Sequence, residues 1–255
     1  MRVNNYIGAV VVCLLMAFMQ PQKKKISLWL LGDSTMCLYE PSRAPLTGWG
    51  MPFANFFDTS VIIKNEAKGG RSTRTFLSEN RWKRIEENLQ GGDYVFIQFG
   101  HNDEAKEEKY KDRYTPVEDY KTNLMKFITE AAAKKAIPVL VTPVTRMRFD
   151  KQGNVEETHA LYSAAVTEVA KQYNVTVIDL DLKSRALLHQ MGVRDSKLLF
   201  MQLDSAVNPI YPKGQKDNTH FNEYGARRIA ELVLAEVRIK LPELAERIIV
   251  QPVKK

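Results

Sequence analysis

Short, nearly continuous apolar segments alternate along the chain with longer segments in which apolar residues recur every three or four positions. Five of the short segments are rich in β-branched and aromatic residues, and such continuous apolarity is typical of strands covered on both faces. They are ISLWLLGD at 26–33, SVIIKNEA at 60–67, DYVFIQFG at 93–100, IPVLVTPV at 137–144 and VTVIDL at 175–180. The pattern therefore predicts a five-stranded parallel sheet.

The longer segments predict helices that cross between the strands. In two of them the apolar residues share one helical face, and these residues are Val117, Tyr120, Leu124, Phe127, Ile128 and Ala131, then Ile229, Leu232, Val233 and Val237. Segments 78–90, 158–172 and 182–191 have similar spacing. Strands that alternate with helical crossovers predict a three-layer α/β/α sandwich, with helices on both faces of the sheet.

Two long segments follow neither pattern. Residues 145–157 and 193–219 are expected to be irregular, and loops of that length in a compact domain commonly bind ligands or cover a site. No internal repeat, low-complexity tract or Gly/Ser/Pro-rich linker divides the chain. We therefore expect a single domain over residues 23–255.

The N-terminal segment differs from the rest of the chain. Residues 7–19, IGAVVVCLLMAFM, form a continuous apolar run after Arg2 that is short for a bilayer span and typical of a secretory signal. We expect residues 1–22 to act as a signal peptide or, if they are not cleaved, as an N-terminal membrane anchor. The protein is then exported, to the periplasm, the cell surface or the medium.

Composition limits the remaining classes. The 255 residues are 44% hydrophobic and 26% charged, which excludes disordered and fibrous chains. Of two cysteines, Cys13 lies in the leader, so no disulfide framework forms, and Cys37 is expected to pack early in the first helix. The net charge of +7 suits an anionic polymer or surface, but no dense Lys/Arg stripe with interleaved aromatic residues indicates a nucleic-acid partner.

Polar residues collect where the predicted strands end. In an open α/β sheet, ligands bind beyond the carboxyl ends of the strands. The first three strands lead into GDS at 32–34, GGRS at 69–72 and GHND at 100–103, and DNTH at 217–220 precedes the last predicted helix. We expect these four blocks to meet at one edge of the sheet.

The residue types in these blocks are the parts of acyl-transfer catalysis. Asp217 and His220 are three residues apart, so the carboxylate is close enough to hold an imidazole nitrogen. A histidine held in this way can activate the hydroxyl of Ser34 for attack on a carbonyl group. The N–H groups of Ser34 and Gly70 and the amide of Asn102 are candidates for an oxyanion hole. The combination predicts an ester hydrolase.

Four blocks also resemble, in order and spacing, those of the SGNH (GDSL-type) hydrolases, from about residue 27 to the last helix. They are GDSTM at 32–36, GGRSTR at 69–74, FGHND at 99–103 and DNTHF at 217–221. With TGWG at 47–50, GDYVFIQFGHND at 92–103 and DNTHFNEYGA at 217–226, the chain is similar to the rhamnogalacturonan acetylesterase group. Thr35 stands where the GDSL motif has leucine, and a threonine at this position resembles the acetylesterase group.

The resemblance implies a flavodoxin-like fold with Ser34 as nucleophile, His220 as base and Asp217 as the residue that orients it. It also implies an oxyanion hole formed by Ser34, Gly70 and Asn102. The implied activity is removal of acetyl groups from a pectic polysaccharide through an acetyl-enzyme, with no metal or organic cofactor.

Other functions remain open at this point. They are an acetylesterase on another glycan such as xylan, a lipase or thioesterase, and a glycan-binding protein without catalysis. A deep apolar tunnel beside Ser34 would favour a lipid, whereas an open cavity rimmed by arginine would favour pectin. Domains of this kind occur as monomers and as dimers, so the sequence makes no prediction of oligomeric state.

Arginines are the candidates for substrate contacts. Arg71, Arg74, Arg146 and Arg148 lie in segments expected to rim the site, and guanidinium groups form bidentate pairs with carboxylates such as those of galacturonate. The alternative for each of them is a solvated surface charge that does not contact substrate. His101 is expected to line the acyl pocket, to support the oxyanion hole, or to be a structural imidazole bonded to backbone.

The remaining polar residues have structural interpretations. Asp33 is expected either to cap the turn after the first strand or to bond the loop near the site. Asp33 and Asp103 together suggest a carboxylate pair for glycoside cleavage, but that alternative leaves Ser34 without a role. His159 and His189 lie on predicted helices at no metal-ligand spacing, so we expect ordinary core or surface residues and no metal site.

Overall fold

The computed structural model describes residues 23–250 and contains a five-stranded parallel sheet. Its strands are β1 Ile26–Gly32, β2 Val61–Asn65, β3 Tyr94–Gln98, β4 Ile137–Val141 and β5 Thr176–Ile178. They lie in the order β2-β1-β3-β4-β5, and every neighbouring pair is parallel. Each observed strand lies within its predicted segment, so the sheet prediction is confirmed. The predicted signal or anchor segment, residues 1–22, lies outside the described residues.

Helices connect and cover the strands. They are α1 Gly50–Phe53, α2 Thr73–Ser78, α3 Arg81–Glu86, α4 Val117–Ala133, α5 Ala160–Tyr173, α6 Leu180–Asp195, α7 Glu223–Lys240 and α8 Pro242–Ala245. Within residues 23–250, no helix is both long enough and apolar enough to cross a membrane.

The alternation of side chains along each strand divides the core into two apolar layers. Leu28 and Leu30 of β1 belong to one layer, and Trp29 and Leu31 belong to the other. The first layer is covered by α1, α6, α7 and α8, and the second by α2, α3, α4 and α5. Helices therefore cover both faces of the sheet, which explains the continuous apolarity of the strands and confirms the three-layer prediction.

One predicted helix is divided in two. The segment 78–90 was expected to be continuous, but α2 begins before it and α3 lies within it. Ser72 caps α2, because its hydroxyl accepts from the N–H of Thr75 while the Thr75 hydroxyl accepts from the N–H of Ser72. Asn80 then adopts a left-handed conformation with φ of 55° and separates the two helices. The start of α2 and the break before α3 are therefore set by the Ser72 cap and the left-handed Asn80, and not by the spacing of apolar residues.

Part of segment 193–219, expected to be irregular, forms a second sheet. β6 Phe200–Leu203 pairs antiparallel with β7 Gln215–Phe221, and the register is interrupted within the pair. The prediction is wrong for these residues because β7 is polar and half-exposed, so it lacks the apolar pattern of a buried strand. Segment 145–157 has no helix or strand and contains one isolated bridge, between Phe149 and Val155.

The strand order places two turns beside a crevice. The order reverses at β1, since β2 lies on one side of β1 and β3 on the other. Open α/β sheets bind ligands beyond the carboxyl ends of the strands at such a reversal. Ser34 follows β1 and Asn102 follows β3, so the topology brings their turns together.

Candidate active site

The turn that carries Ser34 is a single tight turn rather than the start of a helix. The N–H groups of Met36 and Cys37 both donate to the carbonyl oxygen of Asp33, at 3.3 and 3.1 Å, and residues 38–40 that follow are not helical. The expectation that Cys37 lies early in a helix is therefore wrong, whereas its burial is as expected. Ser34 stands at the end of β1 with its hydroxyl in a cavity.

Backbone hydrogen bonds from the block TGWG at 47–50 hold this turn in place. The N–H of Trp49 donates to the carbonyl oxygen of Thr35, and the N–H of Gly50 donates to that of Met36. A Cβ on Gly48 would lie 2.1 Å from the carbonyl oxygen of Cys37, so only glycine allows this approach. Close packing of the turn against this block thus requires glycine at position 48.

A buried hydrogen-bond network explains the Asp and Thr on either side of Ser34. Oδ1 of Asp33 accepts from the N–H and the hydroxyl of Thr35, at 2.9 and 2.8 Å. The Thr35 hydroxyl also accepts from Nε2 of Gln98 at 2.7 Å, and Oε1 of Gln98 accepts from the indole of Trp49. Burial raises the pKa of Asp33 despite these contacts. Asp33 thus supports the turn from the protein interior.

The structure brings Ser34, His220 and Asp217 into one hydrogen-bonded series. Nε2 of His220 lies 2.8 Å from Oγ of Ser34, and Nδ1 of His220 lies 2.7 Å from Oδ2 of Asp217. Burial alone would raise the pKa of Asp217, but the hydrogen bonds from His220 and from the N–H of Thr219 lower it. Asp217 is thereby held ionised, the state that favours a proton on the facing imidazole nitrogen.

The local backbone sets this geometry. Oδ1 of Asp217 accepts from the N–H groups of Thr219 and His220, at 2.8 and 3.0 Å, which bends the chain within β7. The next residue, Phe221, is fully buried and packs against Phe200 of β6 with ring centroids 5.2 Å apart. The spacing of three residues therefore works as expected, but in an interrupted strand rather than in a loop.

Gly70 and Asn102 line the same cavity as Ser34 and His220. Gly70 has a φ of 78°, a conformation that favours glycine, and it leaves the backbone open to a ligand. Nδ2 of Asn102 donates one hydrogen to the carbonyl oxygen of Arg71 at 2.9 Å. That bond orients the amide and leaves its second hydrogen free, as the predicted oxyanion hole requires.

His101 lies in the cavity wall beside a second histidine. It is buried, and its ring meets that of His159 edge to face at 4.3 Å. Burial, followed by the nearby charges of His159 and Arg146, lowers the pKa of His101 well below its usual value. His101 therefore faces the substrate space as a neutral ring. His159, expected to be an ordinary core or surface residue, is buried and also lines the cavity.

Arg146 connects the cavity wall to β7, the strand that carries His220. Its Nη2 lies 3.0 Å from Oε1 of Glu104, whose other oxygen is 2.9 Å from Nδ1 of His159. Its Nη1 donates to the hydroxyl of Thr219 at 2.7 Å. Arg146 lines the cavity as predicted, but its guanidinium is already occupied by protein groups.

The other three predicted arginines are placed differently. Arg148 lines the cavity and lies 3.5 Å from Glu156. Arg71 instead donates from Nε to Glu79, and Arg74 donates from Nη1 to the carbonyl oxygen of Tyr114. Neither Arg71 nor Arg74 is among the residues that line the cavity, so a substrate contact by either stays a prediction.

The carboxylate pair considered for glycoside cleavage does not face the substrate. Asp33 and Asp103 are both fully buried and neither lines the cavity. Oδ1 of Asp103 accepts from the N–H and the hydroxyl of Thr73, so this carboxylate holds the first turn of α2. Burial raises the pKa of Asp103 to about 7.

The cavity has a volume of about 1120 Å³, and its wall combines apolar side chains with many charged ones. Its charged residues are Glu40, Arg43, Lys68, Glu104, Lys106, Glu107, Arg113, Arg146, Arg148 and Glu157. Arg43, Glu104 and Arg113 belong to no motif and were not predicted. The sequence feature that could have indicated Glu104 and Arg113 is the length of segment 104–116, between the third polar block and α4. Long loops of this kind commonly carry binding residues.

Comparison with known proteins identifies a family and relatives for this chain. The model of the GDSL-like Lipase/Acylhydrolase family matches residues 30–228. The rhamnogalacturonan acetylesterase RhgT of Bacillus subtilis (strain 168) is 43% identical over 212 residues, which are 83% of this chain and 89% of that protein. The probable rhamnogalacturonan acetylesterase YesY of the same organism is 34% identical over 87% of this chain and 97% of its own length.

Among solved structures, a catalytic mutant of Axe2, an acetylxylan esterase from Geobacillus stearothermophilus, has a similar fold. The TM-score is 0.61, and the match covers 86% of this chain and 96% of that one. The sequence identity is 18%, so this likeness concerns the arrangement of sheet and helices alone.

Proposed function

The chain belongs to the GDSL-like lipase/acylhydrolase family, and we propose that it is an esterase that removes acetyl groups from rhamnogalacturonan. The relatives at 43% and 34% identity, both matched over most of their length, support this substrate. The observation that carries the proposal is the hydrogen-bonded series of Ser34, His220 and Asp217 at the wall of a cavity lined by many charged residues.

Acylation begins with transfer of a proton. His220 takes the proton of the Ser34 hydroxyl while Oγ attacks the acetyl carbonyl, and Asp217 stabilises the imidazolium that forms. The charge that develops on the carbonyl oxygen is bound by the N–H groups of Ser34 and Gly70 and by the free amide hydrogen of Asn102. His220 then donates the proton to the sugar oxygen, which leaves as a hydroxyl.

Deacylation uses the same groups in the same order. After the sugar leaves, the acetyl group remains as an ester on Ser34. His220 takes a proton from a water molecule, which attacks this ester, and a second tetrahedral intermediate forms in the same oxyanion hole. Its collapse returns the proton to Ser34 and releases acetate.

The charged residues of the cavity wall favour a polysaccharide over a lipid. Acyl chains require a long apolar surface, whereas this cavity contains arginine, lysine and glutamate side chains on several sides. Acetylated xylan is the second candidate, and its support is the fold of Axe2 alone. The higher identity to rhamnogalacturonan acetylesterases favours the pectic polymer.

Acetate release by the purified protein tests the proposal. We expect release from acetylated rhamnogalacturonan to exceed that from acetylated xylan, and p-nitrophenyl acetate reports the esterase independently of the glycan. Ser34→Ala is expected to lower kcat by about 10⁴-fold or more on every substrate, since the nucleophile is lost. Ser78→Ala, which removes an exposed hydroxyl on α2, is the matched control and is expected to behave as wild type.

The possible outcomes test the serine mechanism and the choice of substrate separately. Acetate release that survives Ser34→Ala contradicts the mechanism. Release from p-nitrophenyl acetate without release from rhamnogalacturonan leaves a serine esterase and excludes this substrate.

A further inference from the structure

The cavity contains a guanidinium group that has no acidic partner among the residues that the structure describes. Arg113 lies between β3 and α4 and lines the cavity, and among residues 23–250 it takes part in no ion pair. Its Nε is buried and donates to none of the described residues. Arg146 in the same wall is, by contrast, paired with Glu104. A partly buried charge without a partner is unfavourable, so an anion from outside would be bound strongly.

The position of Arg113 is fixed before any ligand arrives. Its guanidinium carbon lies 3.7 Å from the centroid of the Tyr110 ring, a cation–π contact. Its N–H donates to the carbonyl oxygen of Tyr110, and its own carbonyl oxygen accepts from the hydroxyl of Thr115. The N–H of Thr115 donates to the carbonyl oxygen of Asp103, which ties this loop to the turn that carries Asn102. A side chain held in this way loses little entropy on binding.

The guanidinium also lies beside the predicted oxyanion hole. A Cβ placed on Gly70 would be 3.7 Å from Nη1 of Arg113, so the two residues are neighbours in the cavity wall. Arg43 repeats the arrangement, since it lines the cavity with its guanidinium carbon 5.1 Å from the Tyr39 ring. Tyr39 in turn donates to the carbonyl oxygen of Ser34 at 2.8 Å.

We propose that Arg113 is a specificity-determining residue that binds a galacturonate carboxylate of the polymer whose acetyl ester lies at Ser34. The inference rests on the proposed function and deepens it by naming the substrate group that is recognised. A planar guanidinium can donate two parallel hydrogen bonds to a carboxylate from the N–H groups along one of its edges. The cation–π contact with Tyr110 uses the face of the Arg113 guanidinium and leaves these N–H groups available. Xylan backbones without acidic substituents offer no such group, so Arg113 discriminates between the two acetylated glycans.

Competition by oligosaccharides measures this recognition without depending on acetyl release from a polysaccharide. The probes are deacetylated rhamnogalacturonan oligosaccharides and the same oligosaccharides after reduction of their carboxyl groups to alcohols, each used as an inhibitor of p-nitrophenyl acetate hydrolysis. For wild type we expect the acidic probes to inhibit about 10–100-fold more strongly than the reduced ones, the range for hydrogen bonds between charged groups.

Substitution assigns this preference to one residue. Arg113→Met is expected to abolish the preference, and Arg113→Lys, which keeps the charge but loses the planar fork, is expected to retain part of it. Arg238→Met, which removes an exposed arginine on α7 outside the cavity, is expected to keep the wild-type ratio. The ratio of two inhibition constants in one variant is independent of any change in its turnover.

The proposal is overturned if wild type shows no preference for the acidic probes. It is equally overturned if Arg113→Met, or Arg113→Lys should the first variant not fold, keeps the full wild-type preference. Failure of the proposed function is a separate result, because it is read from acetate release by wild type on acetylated rhamnogalacturonan.

Discussion

Single residues decide how the developing negative charge is bound, and Asn102 is the clearest case. One hydrogen of its amide is used by the carbonyl oxygen of Arg71, so the second is held toward the cavity at no further cost in side-chain entropy. Asn102→Ala is expected to lower kcat on p-nitrophenyl acetate by about 10²–10³-fold, the usual effect of removing one oxyanion donor.

Stability measured beside kcat separates this role from a structural one. Loss of the bond to Arg71 is expected to lower the free energy of unfolding by about 0.5–1.5 kcal/mol, far too little to unfold the domain. Asn102→Asp, which keeps the shape and loses the donor, is the matched variant. A kcat within about threefold of wild type in folded Asn102→Ala would remove this side chain from the oxyanion hole.

Among the elements, the contact between α7 and the segment before β6 determines where His220 lies. Asn222 caps α7 by accepting from the N–H of Gly225, and its side-chain amide donates to the carbonyl oxygens of Leu198 and Phe200. A Cβ on Gly225 would lie 1.8 Å from the carbonyl oxygen of Leu199, so the helix can approach this backbone only because the residue is glycine.

Gly225→Ala is therefore expected to displace α7 from the strand pair that carries His220. We expect the free energy of unfolding in urea to fall by at least about 1–3 kcal/mol, as overpacking does, and kcat to fall because the Ser34–His220 hydrogen bond is disturbed. Gly91→Ala is the control, because a Cβ at this exposed position would lie 3.4 Å from the side chain of Lys135. Equal stability of the two variants would contradict the close contact.

At the scale of the whole molecule, buried carboxyl groups make stability depend on pH. The pKa of Asp103 is about 7 in the folded protein, because burial raises it, against an ordinary value of 3.8. Between these values the folded chain holds a proton that the unfolded chain releases, so this group makes stability fall as the pH rises from about 4 to about 7. Above pH 7 the loss is complete and constant.

Asp103→Asn tests this dependence, since the amide oxygen still accepts from Thr73 but cannot ionise. Measured by thermal unfolding, the Tm of the variant minus that of wild type is expected to increase from pH 4 to 7 and then level off. Asp150→Asn is a comparison in which the pH dependence is reversed. Side-chain and backbone hydrogen bonds from Asn154 lower the pKa of Asp150, so the contribution of this carboxylate to the stability of wild type is lost as the pH falls. Parallel pH profiles of Asp103→Asn and wild type would contradict the raised pKa.

The sequence by itself determined the sheet, the layers and the identity of the reacting groups. Strands covered on both faces can contain few polar residues, so their continuous apolarity is visible in any single chain. The chemistry of acyl transfer is similarly restrictive, because few residue types can supply a nucleophile, a base and an orienting carboxylate. Ser34, Asp217 and His220 were therefore identifiable from type, order and position at predicted strand ends.

Only the tertiary structure decided the contacts between distant segments. Ser34 and His220 are 186 positions apart, and the 2.8 Å between Oγ and Nε2 depends on β7, a polar, half-exposed strand without the apolar pattern of a buried strand. The arginines show the same limit, since Arg71 turns to Glu79 while Arg113 enters the cavity. Residue type specifies the charge of a side chain, but its direction depends on backbone and neighbours from elsewhere in the chain, which only the folded arrangement supplies.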